Sequence, residues 1–462
     1  MVFPTLQFIL FFAIVLALNA AVGGRGGLRK ALLIAASYVF YAVWDWRFCF
    51  LMAGVSLVAW LGGLFVNHDR WGRVAKVASL VLLLGALAVF KYFGFFLLSL
   101  QQLLGDTALS RDLSWMRIVL PVGISFYTFQ AISYVMDVSR RTIAARKNPA
   151  DVALYISFFP QLVAGPIVRA ADFLPQIDRP EKVDAAMRGA AVVLILSGLF
   201  KKMVVANYLS VLLVDPVFAF PDGQAALVTW AAVLGYGIQI YCDFSGYSDI
   251  AIGVALLLGY RFAVNFNQPY RAAGLADFWR RWHISLSSWI RDYLYIPLGG
   301  NRGGALRRTL VVLTTMTLSG LWHGAGWNFL LWGFLHGAAL AIERGISGKL
   351  RPLSFLAIPV TLVIVFLLWI PFRAPTFGDT TAILSAMFRA EGMAPTALTL
   401  QAVVLLAIGL AMNWLPLRWR DGAERALIAA PAAFQALVLS VGVLLCFAVA
   451  QDGVAPFIYF QF

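Results

Sequence analysis

Charge is scarce in this sequence: Asp, Glu, Lys and Arg together make up 13% of its 462 residues. A soluble domain keeps roughly a quarter of its residues charged. A water-solvated globular fold is therefore excluded as the main reading, and lipid is the expected solvent. Cysteine is nearly absent. Cys49, Cys242 and Cys446 all sit in apolar stretches, make no metal-ligand spacing and imply no disulfide framework. No GxSxG nucleophile elbow occurs, which sets aside a Ser-His-Asp triad built from Ser245 and Asp243. Long polar linkers, low-complexity tracts and convincing internal repeats are missing too, so residues 1–462 read as a single membrane domain. A basic n-region is lacking ahead of Leu6–Leu18, so that stretch reads as a retained first span.

Hydrophobic residues, by contrast, reach 61%. Apolar stretches such as Leu6–Leu18, Lys30–Trp44, Ala78–Phe90, Ala190–Phe200 and Leu398–Met412 recur along the chain. With short amphipathic extensions, several reach the roughly 20 residues a helix needs to cross a bilayer. The fold expected is all-α and polytopic, with about 11–13 crossings by hydropathy. The net charge of +14 raises nucleic acid as a partner, but the location of the charge argues against it. Lys and Arg fall in short clusters between apolar runs: Arg25/Arg29/Lys30, Arg70/Arg73/Lys76, Arg140/Arg141/Arg146/Lys147, Arg307/Arg308 and Arg344/Lys349/Arg351. That is the positive-inside signature of cytoplasmic loops, and it places Met1 outside. The partner it implies is the lipid bilayer.

Three regions break the pattern of simple spans. Pro121–Arg141 is apolar yet rich in Ser, Tyr and Gln, and Phe158–Arg169 carries two prolines inside an apolar run. The second reads as a broken or re-entrant element, tolerated at membrane depth only where protein or a cavity surrounds it. Gly235–Gly304 is the third. Its first part holds Gln239, Asp243, Ser245, Ser248 and Asp249 in an otherwise apolar stretch. Acidic groups at that depth are expected to face a bundle interior or an aqueous path. Asp277–Leu298 is too polar for a span and reads as an interfacial amphipathic helix anchored by Trp279, Trp282 and Trp289.

The chain has only four histidines. His68 follows Asn67 and precedes Asp69-Arg70, and reads as a solvated loop residue. His323 and His336 lie within Leu318–Leu340, an apolar stretch with repeated small residues. Placing an imidazole there costs desolvation and makes it a functional-site candidate. A helix–helix hydrogen bond is the plainer alternative. A histidine in a dry cavity can take a proton from an alcohol. Acyl transfer also needs donors for the developing oxyanion, which Asn328, tryptophan indoles or freed backbone amides could supply. Pro297–Gly304 (PLGGNRGG), with Asn301 and Arg302, could present backbone amides to phosphate or could simply be a tight turn. The C-terminal Pro456–Phe462 leaves Tyr459 among three phenylalanines, which alone reads as an aromatic interface anchor.

YCDFSGYSDIAI at Tyr241–Ile252, DFWRRWHISLSSWIRDYLYIPLGGN at Asp277–Asn301 and LWHGAGWNFLLW at Leu321–Trp332 resemble the bacterial branch of the membrane-bound O-acyltransferase family. The resemblance runs from FPTLQF near the start to the final FIYFQF; the run around His283 is highly specific, the WHG tripeptide alone weak. It implies a central tunnel through the membrane domain. It also assigns an essential histidine midway along that tunnel to His323, and a second polar catalytic position to His283. In D-alanyl-transferring members, a separate small membrane peptide ends in F-x-Y-x-x-F, whose tyrosine accepts the acyl group. Phe457, Tyr459 and Phe462 reproduce that spacing here, making residues 433–462 a final span with a relay-like tail.

The function implied is transfer of acetyl from cytoplasmic acetyl-coenzyme A, across the inner membrane, for O-acetylation of an exported polysaccharide. Catalysis would fall to His323, His283 and Tyr459, with Asn301, Arg302 and Asn328 as donor-binding candidates and no metal. An esterase-like periplasmic acetyltransferase and a polysaccharide synthesis complex are the partners expected. A D-alanyl donor, a polysaccharide exporter or flippase, and a scaffold are the alternatives. A transporter would move substrate without consuming a thioester, and a scaffold would tolerate loss of both histidines.

Overall fold

The computed structural model describes residues 1, 3–105, 118–346, 355–390 and 398–450. Among the described residues every regular element is helical, as the hydropathy demanded, and no β-strand occurs. Seven helices are long and apolar enough to cross a membrane: Gly26–Asp45, Phe48–Phe65, Gly72–Leu104, Ala185–Ala219, Ala226–Leu257, Trp327–Ile346 and Ala432–Val449. Leu6–Val22, Ala357–Arg373 and Leu400–Ala411 are apolar but shorter. This is a lipid-embedded, multi-span all-α protein. Among the described residues, seven span-length and three shorter apolar helices stand beside the 11–13 crossings that hydropathy suggests for the whole chain.

The described chain divides into two compact units, one formed by Met1–Val183 with Val254–Phe262 and the other by Asp184–Gly253 with Ala263–Phe462. In the first, Ile124–Ser139 (within the Pro121–Arg141 region) is a helix buried almost all round, including Ser125, Thr128, Gln130 and Ser133. Close packing needs small partners. A Cβ on Gly63 would lie 2.6 Å from the Tyr134 ring, so Phe48–Phe65 approaches this helix through glycine. The break expected over Phe158–Arg169 is present: Pro149–Ser157 ends, and one turn, Phe159–Leu162, precedes non-helical backbone. Backbone groups at both ends of the break find side-chain partners. Ser37 Oγ accepts from the Phe159 amide at 3.1 Å, and the Tyr155 hydroxyl donates to the Val168 carbonyl at 2.9 Å.

In the second unit, Ala185–Leu199 runs into a π-helical stretch, Phe200–Ala206. The wider turn brings successive side chains closer in direction. Lys201 and Lys202 can then both address Ala226–Leu257, pairing with Asp249 (2.6 Å) and Asp243 respectively. Between these pairs the two helices touch backbone to backbone: a Cβ on Gly198 would lie 2.5 Å from the Gly246 carbonyl. The acidic residues noted in the sequence thus face the bundle interior, each neutralised by a lysine.

Candidate active site

Ala305–His323 and Trp327–Ile346 form a helical hairpin within the second unit. A Cβ on Gly320 would sit 2.1 Å from the Phe329 carbonyl, and one on Gly333 would sit 2.3 Å from that of Met316. These glycines let the backbones meet, as small residues do between membrane helices. The buried faces follow helical spacing. Thr315, Ser319 and His323 recur every four residues on the first helix, as do Asn328, Trp332 and His336 on the second, and all six are buried. His323 closes its helix because Gly324 is extended at φ −152°.

His283 comes from a different kind of element. The helix expected over Asp277–Leu298 is instead two short ones, Leu275–Arg281 and Ile284–Ile290, followed by a π turn, Arg291–Tyr295. The break falls at His283, which holds a left-handed backbone at φ 43° and is fully buried. Trp282 and Trp289 are buried too and do not anchor an interface. The neighbouring strand of loop stabilises the break. Asn267 N donates to Arg281 O and Ile284 N to Asn265 O, both at 2.9 Å.

The Asn265 side chain fixes the chemistry of His283. Its Oδ1 accepts from the Ser285 backbone amide at 3.1 Å and from the Ser285 hydroxyl at 2.8 Å, while its Nδ2 donates to Ser248 Oγ at 3.1 Å. A backbone N–H is always a donor, so the atom facing it must be the oxygen. The same oxygen lies 3.2 Å from His283 Nδ1, which must therefore carry the proton. The lone pair is left on Nε2. This is the tautomer a general base needs.

Both histidines lie in one aromatic cluster and share Trp322 as a neighbour, with ring centroids 6.0 Å from His283 and 4.9 Å from His323. Phe244 meets His283 edge-on at 4.5 Å, and Trp332 and Phe372 meet His323 at 5.0 and 5.5 Å. The walls are apolar, so an activated acyl group held here is screened from hydrolysis. His336, the third buried histidine, lies against Trp332 and Trp279 at 4.7 and 5.1 Å. His68 is exposed, as its loop sequence suggested.

The remaining expected residues are spread more widely. Asn328 Nδ2 donates to the Ala374 carbonyl at 2.6 Å, tying the hairpin to the end of Ala357–Arg373. Asn301 Oδ1 accepts from the Tyr295 hydroxyl at 2.8 Å and from Arg344 at 3.3 Å. It sits on the rim of a cavity of about 560 Å³ whose wall also includes Arg280, Arg291, Arg344, Trp279 and Thr315. Arg302 is exposed in the glycine-rich turn, whose Gly299 and Gly300 amides donate back to the Ile296 and Tyr295 carbonyls and whose Arg302 amide donates to that of Gly299. Tyr459 lies outside the described residues. Sequence reading missed Asn265, Ser285, Trp322 and Trp332, none of which stands out until the loop and hairpin are folded.

The described helices thus make a polytopic bundle that buries His283 and His323 around one shared tryptophan, Trp322. Residues 86–370 match the membrane-bound O-acyltransferase family, MBOAT, and the chain belongs to it. It is similar to the probable alginate O-acetylase AlgI of Pseudomonas aeruginosa, with 40% identity over 396 residues, covering 84% of this chain and 75% of that protein. It is 33% identical to a peptidoglycan O-acetyltransferase of Helicobacter pylori over 79% of this chain and 74% of the relative. A teichoic acid D-alanyltransferase of Streptococcus thermophilus is 30% identical over 50% of this chain and 59% of its own length. The protein is thus an O-acyltransferase with a multi-pass inner-membrane location, from a family whose members generally use acyl-coenzyme A donors.

Proposed function

We propose that this enzyme takes acetyl from acetyl-coenzyme A and passes it across the membrane for O-acetylation of an extracytoplasmic polysaccharide. His323 acts as the base that takes the proton of the acceptor hydroxyl, which attacks the thioester carbonyl as the thiolate leaves. His283 Nε2 orients the donor or relays that proton. The observation that supports this reading is the Asn265–His283 contact, which sets the tautomer of a ring that shares Trp322 as a neighbour with His323. The Arg280/Arg291/Arg344 cavity with Asn301 on its rim suits the donor's phosphates. Arg302 adds charge nearby in sequence, and Asn328 supports the hairpin that carries His323.

An acetyl rather than D-alanyl donor is favoured by the chain's own C-terminal F-x-Y-x-x-F spacing, with Tyr459 as the relay that hands acetyl on. A phenyl ester is a more activated donor than an alkyl ester, so such a relay loses little transfer potential. The last step, onto the polysaccharide, falls to a periplasmic esterase-like partner within a synthesis complex. We read residues 1–462 as one acyltransferase domain with 433–462 as its final span and tail. The test is thioester consumption by purified protein. Free thiol should appear with acetyl-coenzyme A and acceptor, and His323→Ala should abolish it. Transport of a glycan with no thioester consumed would replace this reading with an exporter.

A further inference from the structure

Thr315 and His336 lie on the two helices of the hairpin and Trp279 on Leu275–Arg281, outside the His283–Asn265 network. A Cβ on Gly337 would touch Leu313 Cα at 3.0 Å and Met316 Cβ at 3.2 Å, which places His336 beside the turn that holds Thr315. Thr315 and Trp279 both line the cavity of about 560 Å³, and the Trp279 ring meets the His336 ring at 5.1 Å. Thr315 Oγ1, Trp279 Nε1 and both ring nitrogens of His336 are buried without a hydrogen-bond partner among the described residues. Thr315 is 4% exposed and His336 fully buried. Buried polar atoms are almost always satisfied, and a cluster of them beside a cavity is the arrangement of a polar binding subsite.

The chemistry of the cluster selects its ligand. An indole N–H only donates, whereas a hydroxyl and a neutral imidazole each donate and accept. Together they suit a neutral group carrying both a carbonyl and an N–H, which is an amide. The lining of the same cavity also carries Arg280, Arg291 and Arg344 against one acidic residue, Glu343, a net positive balance that suits an anion. From Thr315 to His323 is two helical turns on one face, about 12 Å. A ligand with phosphate at one end, amides in a thin arm and its reacting carbon about two turns beyond them fits this arrangement. Phosphopantetheine is such an arm.

We propose that Thr315, Trp279 and His336 form an amide-reading subsite that selects a phosphopantetheine-borne acyl donor, whether free coenzyme A or a carrier protein. The inference rests on the proposed donor reading and makes these three specificity-determining residues rather than catalytic ones. The experiment compares kcat/KM for acetyl-coenzyme A, an acetylated carrier protein and S-acetyl-thioglycerol, which has no amides, in wild type, Thr315→Val, Trp279→Phe and His336→Phe. Binding of unacylated coenzyme A to each is measured by calorimetry.

Each substitution should cut the preference for the amide-bearing donor about ten-fold or more, since a site built for hydrogen bonds loses discrimination when one is removed. Coenzyme A binding should weaken in parallel. Whichever of acetyl-coenzyme A and the acetylated carrier protein is turned over identifies the source of the arm. Thr315→Val is nearly isosteric and keeps the test decisive should His336→Phe fail to fold. Equal loss on all donors, or unchanged preference and binding in Thr315→Val, overturns the subsite while leaving the acetyltransferase reading intact. A wild type that consumes no thioester overturns the proposed function, and unchanged coenzyme A binding in Thr315→Val then also removes the subsite.

Discussion

Asn265 sets the tautomer of His283. The carboxamide oxygen gathers three donors, from the Ser285 amide, the Ser285 hydroxyl and the imidazole Nδ1. Replacing it with Leu removes the acceptor and lets the ring turn over. Asn265→Leu should therefore lower kcat by about 10²-fold or more with KM little changed, as loss of a tautomer-fixing partner does. Asn265→Asp keeps an acceptor at the same place and should recover most of that loss. If Leu and Asp variants fall equally, Asn265 only supports the loop. His323→Ala is the harsher change. Removing a positioned base should cost about 10²- to 10⁴-fold in single-turnover acetyl transfer, while helix content by circular dichroism stays as in the wild type. His323 was legible in the sequence because an imidazole among apolar residues is costly, and His283 only because the run around it resembles the family's. Asn265 was not, because its role exists only once a loop 18 residues upstream in the chain lies beside the break at His283.

At the scale of elements, the two lysine–aspartate pairs decide how Phe200–Ala206 sits on Ala226–Leu257. Lys202 and Asp243 have side chains only 2% and 4% exposed, so the pair is shut away from water. Breaking one side strands a buried charge, which costs about 3–5 kcal/mol, whereas replacing both by apolar residues is often neutral. Lys202→Met should accordingly lower the thermal midpoint in detergent sharply, and Lys202→Met with Asp243→Leu should restore most of it. A double variant as unstable as the single would mean that the charges serve something other than packing. The sequence showed that Asp243 and Asp249 must face inward, since lipid would not accept them. It did not show their partners, because a straight α-helix would point Lys201 and Lys202 in more divergent directions. The π turn that reconciles them has no signature in the local residues. The same limit hid the break at His283, where a continuous amphipathic pattern masks a left-handed residue.

For the whole molecule, the question is where the chemistry within the bundle ends. Family membership and the helix inventory follow from composition and motif. The number of crossings does not, because a run such as Phe158–Arg169 holds a break, with only one helical turn at Phe159–Leu162. Direct transfer from donor to an external acceptor would leave no acylated protein behind. A relay through Tyr459 would leave one, and it separates two half-reactions that a single-step enzyme cannot separate. With acetyl-coenzyme A and no acceptor, wild-type protein should release about one equivalent of thiol and gain one acetyl on its C-terminal peptide by mass spectrometry, the burst expected of a covalent intermediate. Tyr459→Phe keeps the ring but removes the nucleophilic oxygen. It should lose both the burst and the adduct, and polysaccharide acetylation should stop in cells although the protein is made and inserted. His323→Ala should lose the burst as well, since the phenol then has no base, but coenzyme A should still bind to it. A Tyr459→Phe variant that acetylates polysaccharide at the wild-type rate would end the relay and make His323 the last protein group to handle the acetyl transfer.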